Sequence, residues 1–462
     1  MAAPAQPQQK KTLLMTEGSI WKSILLFSVP LILGNLLQQL YNTADSIIVG
    51  NFLGSNALAA VGSSGSPIYL LIGFSQGVAV GAGVVVSQYL GAKDKKETRI
   101  AVHTSLAIAV ILGLILTVGG IAVSRSLLVW MNTPEEVLGD AVTYMKLYFG
   151  GVLFSVVYNM AAGILNAAGN SRRSVIYLAC ASITNIILDL VLIAGLKMGV
   201  AGAAVSTVIS KAVGLTLACI TLKRKCTVRF SLQYLHPFPA KTFRALLGIA
   251  LPSGTEALSY NVSQTFILRF INLMGAAVVS AKVYGSMLAN VAYVYSIAVG
   301  QATQIILGYM IGGRKLDEVS GRVWSTIRIA LAASELLTLL ILIFCDPIYS
   351  IFTDDPVIHA LGRQILYVEF GLEIGRSINI VMTRCLTTAG DVWYPVGVGI
   401  FSMWVVAVGG SWLLGHALSW GLVGIWIAMA CDECLRGALF TIRFRSGKWK
   451  ETRLVSDSTK GT

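Results

Sequence analysis

Apolar residues run through this 462-residue chain in long blocks, broken by short polar stretches at regular intervals. Crossing the hydrocarbon core of a bilayer takes roughly 20 apolar residues in one helix. Twelve windows reach that length: about 20–45, 57–89, 100–123, 138–166, 174–196, 200–222, 245–271, 278–310, 323–345, 357–386, 394–415 and 420–442. Their glycines and prolines suit packed transmembrane helices, where small residues let backbones approach. Glycines 73, 77, 81 and 83 in the second window carry the small-xxx-small spacing of a close helix contact. The pattern predicts an all-α integral membrane protein with twelve transmembrane helices.

Composition agrees. The chain is 55% hydrophobic and 12% charged, whereas soluble chains carry about 25% charged residues. The leading MAAPAQPQQKK reads as a polar tail, so the first helix is expected to remain in the mature protein.

The formal net charge of +13 is explained by where the basic residues fall. One alternate set of connecting segments holds 24 of the lysines and arginines, from Lys10 and Lys11 through Lys93–Arg99 and Lys223–Arg244 to Lys460. The opposite set holds Arg125, Lys146, Lys197 and Arg363. By the positive-inside rule both termini are cytoplasmic, and the basic excess is topological with no nucleic-acid footprint. Short loops fit a bacterial inner (cell) membrane.

The two halves of the chain answer each other at a nearly constant offset. Pro30 matches Pro252, GNFLGSNALAA at 50–60 matches INLMGAAVVSA at 271–281, and GAKDKKETR at 91–99 matches GGRKLDEVSGR at 312–322. NTPEEV at 132–137, AAGNSRR at 167–173 and MGVAGAAVS at 198–206 likewise find DDPVI at 354–358, TAGDVWY at 388–394 and WGLVGIWIA at 420–428. Six is an even number, so each repeat enters and leaves on one side of the membrane. Two six-helix bundles related by a pseudo-two-fold axis along the membrane normal follow, and rocking of such bundles is the expected route to alternating access. The division expected is a tail at 1–19, a lobe at 20–222, a polar linker with Pro237 and Pro239 at 223–244, a second lobe at 245–442 and a tail at 443–462.

Two aspartates interrupt the apolar pattern, Asp45 in YNTADSIIVG and Asp189 in TNIILDLVLIAG. An ionised carboxylate in hydrocarbon costs several kcal/mol, so such groups mark ion pathways or coupling sites. Asn185 lies one turn before Asp189 on the same helix face, and Thr207 lies one helix onward. Two carboxylates held together cannot both ionise without a proton or a cation. Carried across by the repeat offset, Asp45 falls on Phe266 and Asp189 on Gly410, so the second half has no copy of the pair. Helix gluing is the blander reading of the acids.

The segments VPLILGNLLQQLYNTADSIIVG, LNAAGNSRRS, TNIILD, GVAGAAVST and LTTAGD, in this order along two six-helix halves, resemble the multidrug and toxic compound extrusion (MATE) family over about residues 15–445. The resemblance implies H⁺ or Na⁺ binding by Asp45, Asn185, Asp189 and Thr207, with a bend at Pro30 responding to it. It also implies cavity positions at Gln38, Tyr41, Tyr144 and Asn159, which by their residue types alone could equally be interhelical hydrogen bonds. One branch of the family has an acid in the tenth helix where Arg376 stands here.

In the second half, Glu373 with Arg376 and Asp432 with Arg436 are spaced to pair, and Glu433 and Arg269 are further charges in apolar surroundings. Glu256 has no opposite charge within one turn, which makes it a candidate for touching a cationic substrate. Trp404, Trp412, Trp420 and Trp426 read mostly as interfacial anchors. The seven cysteines read as free small hydrophobes, and no histidine stands near the CxxC of Cys431 and Cys434.

The functional expectation is a secondary antiporter that exports organic cationic or amphipathic compounds in exchange for H⁺ or Na⁺. It needs no cofactor, no metal beyond a coupling Na⁺, and no partner beyond substrate, cation and membrane lipid; it can work as a monomer. No GxxxxGK[ST] phosphate loop is present to supply ATP directly. A lipid-linked precursor flippase is the alternative, and a membrane-embedded enzyme or a channel is the alternative from another class.

Overall fold

A computed structural model describes residues 20–131, 133–225, 232–236, 238–350, 353 and 355–452. The two tails at 1–19 and 453–462, linker residues 226–231 and Pro237 lie outside the described residues, as do Asn132, Ile351, Phe352 and Asp354. Helices form wherever the apolar windows run, and the described residues contain no strand.

Twelve long helical rods follow one another among the described residues. The first six are α1 (Ile20–Leu53), α2 (Ser55–Gly91), α3 (Lys95–Trp130), α4 (Glu135–Gly150 and Val152–Ala167), α5 (Ser171–Asp189, continued by a π-helical turn Leu190–Gly195) and α6 (Gly199–Lys225). The second six are α7 (Ala240–Asn272), α8 (Ala276–Gly312), α9 (Leu316–Ile343), α10 (Pro356–Ala389), α11 (Trp393–Ser402 with further turns to Ala417) and α12 (Gly421–Arg445). By length and composition, seven described helices can each cross a membrane, and the two parts of α4 make an eighth if taken as one span bent by 49°. Rods α1, α7, α10 and α12 are outside that set, and the last three carry the charged residues of the second half, such as Glu256, Glu369, Arg376, Asp432 and Arg436. A helix walled in by neighbours need not be apolar all round.

The internal repeat is written into the backbone. Positive φ angles occur at Gly54 and Gly275, Lys93 and Arg314, Gly169 and Gly390, Lys197 and Ser419, and Gly199 and Gly421. Each pair keeps the offset of the sequence repeat. The hydrogen bonds from Leu196 N–H to Val191 O and from Met198 N–H to Leu192 O recur as Leu418 to Leu413 and Trp420 to Leu414. Local turn chemistry is therefore shared between the halves where the side chains are not.

Packing separates residues 33–254 from a second compact unit, residues 255–462 with the stretch up to Ile32. These limits cut α1 and α7 two residues after Pro30 and Pro252, positions at which both helices continue without interruption. The division by repeat at 223–244 follows the sequence symmetry, whereas the packing division follows contacts. In the first unit α4 packs against α2, α3 and α6. Its bend sits at Gly151, where an added Cβ would lie 2.2 Å from Val208 Cγ1. On α2, Gly77 and Gly81 abut the backbone of α7 at Gly254 and Ala250, as their spacing predicts.

In the second unit α10 is the hub, packed on by α8, α9 and α12. Its ends join two apolar cores, one around Tyr349, Ile358, Ile365 and Trp426, the other around Met382, Leu386, Phe440 and Phe444. Between them lies a polar layer that begins with Ser296, hydrogen-bonded to Ser334 and Ser377. Trp426 is 3% exposed and donates to Glu369 Oε2 at 2.7 Å, so it is a core residue and no interfacial anchor. Trp412 and Trp420 are exposed.

The α10–α12 seam yields a paired test. A Cβ at Gly375 would come 2.6 Å from the backbone N of Cys434, which cannot turn aside, while a Cβ at Gly371 meets nothing within 4 Å. Overpacking of this kind costs about 1–3 kcal/mol, and Gly→Ala at an open helix position gains up to about 1 kcal/mol. Gly375→Ala is expected to lower the unfolding midpoint of the detergent-solubilised protein, and Gly371→Ala to leave it unchanged or raise it.

Candidate functional site

The acidic constellation forms where one end of α1, α5 and α6 meet in the first unit. Asp45 stands eight residues before the end of α1, Asp189 at the point where α5 gives way to its π-helical turn, and Thr207 eight residues into α6. At 1.5 Å per residue these are depths of about 12 Å or less from the helix ends. Asp45 and Asp189 come within hydrogen-bonding reach of each other. The sequence places them in its first and fifth apolar windows; the fold makes them a couple.

Asp189 is held rigidly. It is fully buried with Asn185 and Ser206. With its amide nitrogen turned to the carboxylate, Asn185 donates to Asp189 Oδ2 at 3.0 Å and accepts from the Thr207 N–H at 3.3 Å. The Ser206 hydroxyl donates to Asp189 Oδ1. Thr207 Oγ1 donates to Ala203 O at 3.0 Å and is also in reach of the Tyr41 hydroxyl. Asp45 is held less completely: its Oδ1 is buried and has no hydrogen-bond partner among the described residues. A buried carboxylate oxygen without a donor is a costly arrangement that a bound proton or small cation would relieve.

The π-helical turn after Asp189 is not itself the mark of the site. Such turns often lie at functional positions, yet Leu413–Ala417 of α11 repeats it in the half that lacks the acids. It belongs to the repeat, and the acids are what distinguish the first half.

The other predicted positions spread around this couple. Tyr41 and Tyr144 are buried, and both feel the charge of Asp45. Gln38 donates to Asn42 Oδ1 at 3.1 Å, a bond within α1. Asn159 is half-buried on the second part of α4, and no described hydrogen bond ties it to the acids. Pro30 lies in the continuous helix α1.

In the second unit the spaced pairs do close: Arg376 bonds Glu373, and Arg436 Nη2 approaches Asp432 Oδ2 at 2.5 Å. Each arginine also takes a second acid, Glu369 Oε1 at 2.7 Å from Arg376 and Glu433 Oε1 at 3.0 Å from Arg436. Asn379 donates to Glu433 Oε2 at 2.7 Å and Ser402 to Asp432 Oδ1 at 2.6 Å. Glu256 is not solitary, because Arg384 of α10 and Arg436 of α12 face it. Neighbouring helices supply the counter-charges that its own helix lacks. Arg269 is exposed in the last turn of α7, outside the cluster. At the positions corresponding to the acid couple, Phe266 meets the Trp404 ring edge-on at 5.4 Å and Gly410 packs against Ala428.

Sequence reasoning missed three residues. Ser206 precedes Thr207 but faces Asp189, which only the α5–α6 contact reveals. Glu335 interrupts the apolar run of α9, and both its carboxyl oxygens are buried without a partner among the described residues. Lys211 sits one turn beyond Thr207 on α6 with its Nζ 5.4 Å from the Tyr41 ring centre and 5.7 Å from that of Tyr158.

Known proteins share this architecture. The MatE family model matches residues 30–191 and again 252–413. The Bacillus subtilis uncharacterized transporter YisQ is 30% identical over 434 residues, 93% of this chain and 95% of its own length. The probable multidrug resistance protein NorM of Thermotoga maritima is 24% identical over 443 residues, 95% of each chain. A solved MATE structure in the bent conformation superposes with a TM-score of 0.88 at 25% identity, covering 96% of this chain and 99% of that one.

Ser206→Ala tests the hold on Asp189. Removing a donor to a buried carboxylate costs about 1–3 kcal/mol, so the variant is expected to melt earlier at neutral pH. In an Asp189→Asn background the same change should cost less, and a thermal-melt double-mutant cycle reads that difference.

Proposed function

The chain belongs to the MatE family of membrane transporters, and from that premise we propose that it is a secondary active multidrug exporter driven by inward flow of H⁺ or Na⁺. The observation that carries the proposal is the Asp45–Asp189 couple, two carboxyls in reach of each other with one buried oxygen left unpartnered. Relatives named multidrug resistance and multidrug export proteins support the cargo class. The protein is multi-pass and is no enzyme.

The couple can exist in two charge states. Empty, it holds negative charge that hydrocarbon disfavours; loaded with a proton or a Na⁺, it is nearly neutral. Asp189 with the Ser206 and Thr207 hydroxyls offers oxygens from α5 and α6, Asn185 donates to the Asp189 carboxyl, and Asp45 joins them from α1. Loading on the outer face lowers the affinity for substrate, which leaves; the carrier returns, gives up the cation inside and takes the next substrate. Coupling requires only that cation and substrate prefer different states, a free-energy difference between conformations. In this reading the bend at Pro30 is the response of α1 to loading, and Gln38, Tyr41, Tyr144 and Asn159 shape the cavity beside it. Both termini lie in the cytoplasm of a cell whose inner membrane holds the protein, and one copy suffices.

Asp45→Asn is expected to abolish gradient-driven export from reconstituted vesicles while the purified protein keeps its elution volume and melting midpoint. Transport at the unmutated rate would remove the couple from the mechanism. Imposing a pH gradient and a Na⁺ gradient separately on the same vesicles identifies the ion, since only one of the two should drive accumulation.

A further inference from the structure

Lys211 is an ammonium group where a membrane protein least tolerates one. It lies twelve residues from the start of α6 at Gly199, about 18 Å along the helix, which is near the middle of a hydrocarbon core about 30 Å thick. A lysine near a helix end could snorkel to water; from this depth the four-carbon stem cannot reach it. Membrane-embedded lysines normally pair with an acid. Among the described residues Lys211 makes no ion pair and no hydrogen bond, and its contacts are the faces of Tyr41 from α1 and Tyr158 from α4. Both tyrosines are buried, and Gly214, one turn beyond on α6, leaves room for the Tyr158 ring at 3.0 Å from where a Cβ would sit.

Two consequences follow from this arrangement. Aromatic faces attract the ammonium but do not take its N–H donors as an oxygen would, so its three donors have no acceptor among the described residues. And the two rings that could cage a cationic substrate are already occupied by a cation of the protein. A positively charged cargo would meet a like charge there, whereas an anionic group would complete an ion pair in a medium where ion pairs are strong.

We propose that Lys211 is the anchor for an acidic group on the transported molecule, so that this carrier selects amphiphiles bearing a carboxylate or sulfonate on an aromatic body over their uncharged or purely cationic analogues. The proposal rests on the export reading above but concerns binding, which is measurable without transport. The Tyr41 ring faces Lys211 at 5.4 Å, and its hydroxyl lies toward Thr207, so Tyr41 is the side chain that stands between cargo on Lys211 and the acid couple.

The test uses a zwitterionic rhodamine with a free carboxylate and its methyl ester, which share one aromatic body and differ in that single negative charge. Binding to the full-length purified protein in nanodiscs is followed by fluorescence anisotropy. Unmutated protein should bind the acid more tightly than the ester by about tenfold, the worth of one charge-assisted contact. Lys211→Met should abolish that ratio by weakening the acid alone, and Lys211→Arg should retain it. Equal affinity for acid and ester in the unmutated protein, or an unchanged ratio in Lys211→Met, overturns the assignment. Should Lys211→Met fail to elute as a folded protein, Lys211→Gln and Lys211→Arg are compared in its place, with the same ratio expected to vanish in the first and persist in the second. Vesicle export of either rhodamine is scored separately: binding selectivity without export contradicts the transport reading and leaves the Lys211 assignment standing.

Discussion

A charge in hydrocarbon is costly unless its neighbours meet it, and the acids in the first half of this protein are arranged under that constraint. Asp189 is surrounded by donors from Asn185 and Ser206, whereas one oxygen of Asp45 has none. The asymmetry assigns the two acids different parts. Asp189 is hydrogen-bonded on α5 and α6, and Asp45 is the member with an oxygen left open. It sits on α1, a helix with a proline fifteen residues earlier that leaves one carbonyl without its usual N–H. A change of charge at Asp45 therefore acts on a helix whose hydrogen-bond ladder is already weakened.

Most of the architecture was legible because hydropathy and length are sufficient statements about a helix in lipid. All twelve windows correspond to helical rods, and the fixed offset between the halves reappears in paired positive φ angles. The bend of α4 was not legible, since the Gly150–Gly151 pair stands among many glycines in these windows, and the neighbour that leaves no room for a side chain at 151, Val208, comes from α6. The site was legible where one helix carries it, as with Asn185 and Asp189 one turn apart. It was illegible where a third helix closes it. Ser206 looked like a neighbour of Thr207, Glu256 looked unpaired until α10 and α12 brought Arg384 and Arg436 to it, and Trp426 passed for an anchor until Glu369 proved to be its acceptor. Lys211 escaped because a lysine inside an apolar window carries no sign of whether its partner is an acid, a ring or lipid.

The two halves share a backbone and divide the chemistry. In the second, Arg376 and Arg436 are each shared by two carboxylates and backed by Asn379, Ser402 and Trp426. Breaking any one of these contacts strands a buried charge, at a cost of several kcal/mol, so the cluster rigidifies α10 against α12. In the first half the acids have hydroxyls and an amide as neighbours, which stabilise a carboxylate but supply no counter-charge. In the second half two guanidinium groups meet four carboxylates, with Glu373 Oε2 left without a partner among the described residues, so that cluster is partly neutralised from within; the Asp45–Asp189 couple has no described guanidinium beside it. The two halves share their turn geometry, and the placement of arginine is what sets their charged clusters apart.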